Sequence, residues 1–295
     1  MKIFILFSIT FAYGFLGSVV SNANPLPYEV IFDFGDSIWD TGNAAKYHQQ
    51  MPNNSPYGST YFKHPCGRIH VPEVAYSLST QLDWFKKLKR SLCKSVEECD
   101  RYFKNSLFLV GEMGENDINK INFFVSICYK LIEERAIKLV VPGNFPIGCN
   151  FAALVIVNSD KKDDYDQFGC LTAYNAFIKY YNKQLKKAIE TLRHENPNVK
   201  ITYFDYYGAT THLFQASQQY GFSSNKIETF RACCGKGEPY NLSLQIACGS
   251  LAAMVCPNPS KHLNWDGPHF PEATYRPIAK GLLEGPFANP PLKIA

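Results

Sequence analysis

Short apolar runs alternate along this chain with longer segments whose apolar residues recur at helical spacing. The runs Val30 to Phe34, Ser106 to Val110, Ile137 to Val141 and Val199 to Phe204 are rich in β-prone residues. Each predicts a buried strand. Between them, Leu78 to Arg90 sets Leu82, Trp84, Phe85 and Leu88 at helical spacing, and Phe124 to Arg135 reads as a second helix. Leu171 to His194 is long and amphipathic and is closed by Asn196-Pro197, while Ala209 to Tyr220 and Ala273 to Leu283 read as further helices. Ala44 to Gln50 reads as a short helix, Met51 to Pro65 as a loop, and Glu228 to Pro259 as a cysteine-bearing loop. Strands alternating with helices predict parallel strands joined by right-handed crossovers, with helices on both faces of the sheet. Ser37, Asn116 and Asn144 all fall just beyond strand carboxyl ends, the edge where open α/β sheets bind ligands.

Composition adds size and compartment. With 295 residues, 46% hydrophobic and 15% aromatic, the chain can bury the core of one large α/β domain. The net charge of +4 is spread out. The densest basic run, Lys86 to Arg90, reads as a solvated helix face, so no nucleic-acid partner is expected. Lys2, the apolar run Ile3 to Val20 and the small residues of Ser21-Asn22-Ala23 read as a signal peptide over residues 1–23, leaving a single domain over 24–295. No second segment could span a bilayer, and a secreted monomer is expected. Ten cysteines in an exported chain predict disulfides. Cys93 with Cys99 and Cys149 with Cys170 are the short-range candidates. Cys233, Cys234, Cys248 and Cys256 form a group of open connectivity, and Cys66 and Cys128 have no obvious mate. No pair of cysteines has metal-site spacing with a matching second pair, so neither metal nor cofactor is expected. Asn53 and Asn241 head glycosylation triplets.

The candidate chemistry lies in two stretches. Gly35-Asp36-Ser37 breaks the first strand and can push a serine hydroxyl out at the ligand-binding edge; a serine that merely caps the next helix would look the same. An unassisted serine needs a base, itself oriented by a third group. In Asn264-Trp265-Asp266-Gly267-Pro268-His269, Asp266 precedes His269 by three residues. A turn of that length lets the carboxylate meet one ring nitrogen and leaves the other for Ser37. The backbone amide of Ser37 and the side-chain amide of Asn116 can donate to a developing oxyanion.

Phe34-Gly35-Asp36-Ser37 with Asp40-Thr41-Gly42-Asn43, then Gly114-Glu115-Asn116-Asp117, then Asp266-Gly267-Pro268-His269, occur in the order found in GDSL (SGNH) hydrolases. The set resembles the secreted plant branch of sinapine-esterase and acetylajmalan-esterase type, as do Val141 to Cys149 and Cys233-Cys234-Gly235. The resemblance runs with gaps from about Tyr28 to about Pro286. It implies a three-layer α/β/α fold with a parallel, flavodoxin-like sheet, and a serine carboxylic-ester hydrolase acting on a small or lipid-like acyl ester. Ser37 would be the nucleophile, His269 the base, Asp266 its orienter and Asn116 an oxyanion donor. One block of the family pattern, which carries a glycine donor, is absent between Pro65 and Ser77, and a second shortening falls between Asn119 and Phe124. The sheet should therefore lack one edge strand, and catalysis should be weakened. A secreted relative that binds ligand without turnover is the alternative.

Overall fold

The computed structural model describes residues 28–38, 77–111, 121–225 and 229–292. The predicted helix at Ala44 to Gln50, the loop at Met51 to Pro65 and both proposed shortenings lie wholly or mostly outside those residues. The central sheet has the order β1-β2-β3-β4-β7. It is built from β1 (Val30–Phe34), β2 (Ser106–Val110), β3 (Lys138–Pro142), β4 (Lys200–Phe204) and β7 (Ala288–Asn289). The first four strands are parallel, as the alternating pattern predicts, with Val30 opposite Ser106 and Lys138 opposite Lys200. β7 runs antiparallel to β4, with Ala288 opposite Phe204. Two residues are too short to show a period, so nothing in the pattern announced it.

Alternation along the strands sends two sets of side chains to two cores. Phe32, Phe108, Val110, Leu139, Val141, Ile201 and Tyr203 form one with helices α1 (Leu78–Leu92), α2 (Val96–Phe103), α3 (Ile121–Glu133) and α5 (Thr172–Glu195). Leu107, Val140 and Phe204 form the other with α6 (Tyr206–Gln215) and α7 (Glu272–Leu283). The molecule is thus a three-layer α/β/α sandwich. A small helix, α4 (Phe151–Val157), packs Phe151 and Leu154 with Ala232 and Leu242 in a separate cluster.

β1 is an edge strand of the described sheet. Its inner face is secured by aromatics: the Phe32 ring stacks on Phe108 at 4.9 Å and meets Phe85 edge-on at 5.1 Å. Phe85 comes from α1, whose Ser77 caps its first turn by accepting the Thr80 amide. On the other face Ile31 is 46% exposed. The expectation of a sheet short of one edge strand turns on residues between Ser37 and Ser77, most of which lie outside the described residues.

Four disulfides join the described cysteines. Cys93–Cys99 and Cys149–Cys170 pair as expected, and the C-terminal group resolves into Cys233–Cys256 and Cys234–Cys248. Cys128 is buried and free. Cys66 lies outside the described residues. The cysteine-bearing loop holds a two-stranded antiparallel ribbon, β5 (Cys234–Gly235) with β6 (Met254–Val255).

Candidate active site

Ser37 sits three residues past the end of β1, at the carboxyl edge of the sheet. Two side chains shape the turn that presents it. Gln81, on α1, accepts the Gly35 amide on Oε1 at 2.9 Å and donates Nε2 to the Gly35 carbonyl at 2.7 Å. Asp36 accepts the Ile38 amide on Oδ1 at 2.9 Å, which folds the chain back over the serine. Ile38 is then buried against Val140 and Phe145. The other carboxyl oxygen of Asp36 is buried without a hydrogen-bond partner among the described residues. Burial pushes the Asp36 carboxyl up from 3.8 to about 6, against the pull of the Ile38 amide and of nearby His269.

The loop Asn264 to His269 is built differently. Asn264, 2% exposed, accepts the Gly267 amide on Oδ1 and donates Nδ2 to the Gly267 carbonyl, both at 2.7 Å. Gly267 has φ +105°, and a Cβ there would lie 2.8 Å from Leu242 Cδ2, so only glycine fits. The Trp265 amide donates to the His269 carbonyl at 2.8 Å and closes the turn. Cys233 and Cys234 donate their amides to the carbonyls of Asn264 and Trp265, and Trp265 packs on the two disulfides. Asn150 donates Nδ2 to the Pro268 carbonyl at 3.2 Å while capping α4 with Oδ1. Thr274 of α7 donates to the Leu263 carbonyl.

The turn delivers Asp266 and His269 together. Asp266 Oδ1 accepts the His269 backbone amide at 2.9 Å, and its two oxygens lie 2.9 and 2.8 Å from Nδ1. The free nitrogen, Nε2, is 2.9 Å from Ser37 Oγ. Both residues are buried, His269 to 1% exposure. A carboxylate on Nδ1 fixes the tautomer whose Nε2 can accept a proton, and burial strengthens its pull on an imidazolium. The three residues singled out from sequence are thus one hydrogen-bonded chain.

Asn116 and Asn53 lie outside the described residues. Asn144 follows β3 as expected. Its backbone is held by Asn182 of α5, which accepts the Asn144 amide at 2.8 Å and donates to its carbonyl at 2.9 Å, and its own Nδ2 is buried with no hydrogen-bond partner among the described residues. Asn241 is half-buried with φ 53° and donates Nδ2 to the Ala232 carbonyl at 2.9 Å. Among the described residues no group of His, Cys, Asp and Glu could hold a metal ion, and no helix is long and apolar enough to cross a membrane. The sequence reading gave no part to Gln81, Asn150 or Asn264. Asn264 at least stands inside the quoted stretch, whereas nothing near Gln81 signals its contact with Gly35.

Comparison with known proteins agrees with this geometry. The family model described as GDSL-like lipase/acylhydrolase matches residues 31–282. A GDSL esterase/lipase of Arabidopsis thaliana is 36% identical over 374 aligned positions, which take in 98% of this chain and 99% of the relative. Since this chain has 295 residues, the relative carries segments that it lacks. A second Arabidopsis GDSL esterase/lipase is 33% identical over 89% of this chain and 88% of its own length. The sinapine esterase of Brassica napus is 33% identical over 89% of this chain and 87% of its own. With the match covering both the Ser37 turn and the His269 loop, the chain belongs to the GDSL-like lipase/acylhydrolase family.

Proposed function

We propose that the protein hydrolyses carboxylic esters through Ser37, His269 and Asp266. The observation that carries the reading is the 2.9 Å contact from His269 Nε2 to Ser37 Oγ, with both Asp266 oxygens within hydrogen-bond reach of Nδ1. Ser37 Oγ attacks the ester carbonyl as its proton passes to Nε2, and Asp266 stabilises the resulting imidazolium. The tetrahedral intermediate collapses, His269 returns the proton to the departing alcohol, and Ser37 is left acylated. Water, deprotonated by the same Nε2, then releases the acid. The Ser37 amide and Asn116 are the proposed oxyanion donors. The family gives the reaction class, ester hydrolysis, and a small ester as substrate.

The test is an active-site fluorophosphonate probe together with p-nitrophenyl acetate. Labelling and turnover are expected in the wild type and absent in Ser37→Ala, whose turnover should fall by roughly 10⁴- to 10⁶-fold. Folded wild-type protein that neither labels nor turns over would overturn the assignment.

The missing glycine-donor block belongs between Pro65 and Ser77, and the length by which the alignment with the Arabidopsis relative exceeds this chain supports that reading. The site then works with one oxyanion donor fewer than a full set. Four disulfides support export after removal of residues 1–23. The protein is proposed to act as a secreted monomer carrying glycans at Asn53 and Asn241. At Asn241 the bond to Ala232 uses one amide hydrogen and leaves the other nitrogen valence for the sugar. Endoglycosidase treatment of the secreted protein should lower its mass by two glycans, and unchanged mass would remove both positions.

A further inference from the structure

We propose that Gln81 and Asn264 are a matched pair of positioning residues that together set the Ser37–His269 distance; the proposal rests on the esterase reading above. Each is a carboxamide that grips both backbone polar groups of one glycine. Gln81 holds Gly35 at 2.9 and 2.7 Å, and Asn264 holds Gly267 at 2.7 Å twice. Each glycine stands two residues before a reacting group, Ser37 in one case and His269 in the other. A carboxamide is suited to this because it presents one acceptor and one donor side by side, as an extended backbone segment would.

The two glycines need such a partner for different reasons. Gly35 continues β1, an edge strand of the described sheet, and among the described residues no strand lies beyond it to meet its outward amide and carbonyl. Gln81 supplies from a helix what a strand would have supplied, 46 residues away in sequence. Gly267 has φ +105° and lies in a buried turn, where it forms no sheet ladder and an unpaired amide would be destabilising. Asn264 satisfies both groups and fixes the turn that stacks Asp266 under His269.

The grips act on one quantity. Ser37 and His269 belong to segments 232 residues apart in sequence, joined at the site by a single 2.9 Å hydrogen bond. A small rotation of either turn lengthens that bond without touching the acyl or alcohol parts of a substrate. Loss of one grip should therefore appear in turnover and in nucleophile reactivity rather than in binding.

The experiment compares wild type with Gln81→Met, Asn264→Ala and the double variant. The readouts are kcat and KM on p-nitrophenyl acetate, the fluorophosphonate labelling rate, and Tm. Each single change should lower kcat and the labelling rate by about 10-fold or more, with KM held within about twofold. The double variant should lose less than the product of the singles, because a bond already broken cannot be broken again. Folded variants with wild-type kcat, or with a change in KM alone, would overturn the proposal. Where Asn264→Ala does not fold, Asn264→Asp replaces it, since it keeps the acceptor for the Gly267 amide. Should the wild type itself neither label nor turn over, the esterase reading fails and the grips are read directly. The downfield imidazole proton of His269 should then move in Gln81→Met, and an unmoved resonance would overturn the role of Gln81.

Discussion

The two halves of the proposed catalytic triad are held by opposite means. Asp266 and His269 lie in a buried turn that is backed by a doubly cross-linked ribbon, closed by Asn264 and tied to Asn150 and Thr274. Ser37 stands at the end of a strand on the edge of the described sheet, where Ile31 is 46% exposed and the following turn depends on Gln81 and Asp36. The proposed base and its orienter are thus held in place by the fold, in surroundings where a buried carboxylate would stabilise an imidazolium. Among the described residues, the proposed nucleophile is the part with fewer restraints. Substitutions in the histidine loop should accordingly show themselves in chemistry and stability together, and those around Ser37 mainly in chemistry.

The most damaging test of this contrast is Asp266→Asn. The amide would stabilise the wrong tautomer of His269 and could not balance the imidazolium, so kcat should fall by about 10⁴-fold while the fold survives. A loss of less than about 10-fold would mean that another carboxylate orients the ring. Asp36 is one alternative, since its carboxyl interacts with the charge of His269. The next effect concerns the serine side. If the glycine-donor block is absent as proposed, grafting it from a relative between Pro65 and Ser77 would add an oxyanion donor, and turnover should rise by about 10²–10³-fold with little change in KM. Equal turnover with and without the graft would mean that some other amide already fills the role.

A third test works on stability. Cys234→Ala with Cys248→Ala removes the bridge of sequence separation 14, and Cys93→Ala with Cys99→Ala removes one of separation 6. Loop entropy puts the first at about 3 kcal/mol and the second at about 2 kcal/mol. The distinguishing feature is activity. Cys234 donates its amide to the Trp265 carbonyl, so opening its bridge should lower kcat as well as Tm. Opening Cys93–Cys99, at the far end of α1 from Gln81, should lower Tm alone. Equal losses of kcat in the two variants would remove the ribbon's special part.

The same contrast explains what could be read from the sequence. Four strands were legible because each is a run of β-prone residues bounded by turn residues, and α5 was placed within one residue at each end. The triad was legible because its acid and base share one turn and its serine ends a strand. The short elements were not. α2 buries only Cys99 and Phe103, too little to show a period, and β7 has two residues. α6 was expected over Ala209 to Tyr220 but runs from Tyr206 to Gln215. Asp205 caps it by accepting the Gly208 amide, and a separate 3-10 turn covers Ser217 to Tyr220. Gln81 was illegible for a deeper reason. A glutamine on an amphipathic helix looks the same whether it faces water or a strand edge, and what distinguishes them is a partner supplied by the fold.

The smallest effect tests the buried carboxyl beside the nucleophile. The Asp36 carboxyl is pushed up to about 6 in the folded protein from 3.8, because burial penalises its charge; one of its oxygens has no partner among the described residues. Between those values the folded state binds a proton that the unfolded state has released. Stability therefore falls as pH rises from about 4 to about 6, and above that the whole penalty, about 3 kcal/mol, is present. Asp36→Asn keeps the acceptor for the Ile38 amide and removes the charge, but it leaves a buried amide nitrogen to satisfy, at a cost of roughly 1–2 kcal/mol. The variant should thus be more stable than wild type by about 1 kcal/mol at pH 8, and less stable at pH 4.5, where the wild-type carboxyl is already neutral. Thermal unfolding of both proteins at the two pH values measures the crossing. If the Tm difference has the same sign and size at both, Asp36 is ionised in the fold without penalty. A donor outside the described residues must then reach its second oxygen, and the serine side of the triad would be more firmly held than its edge position implies.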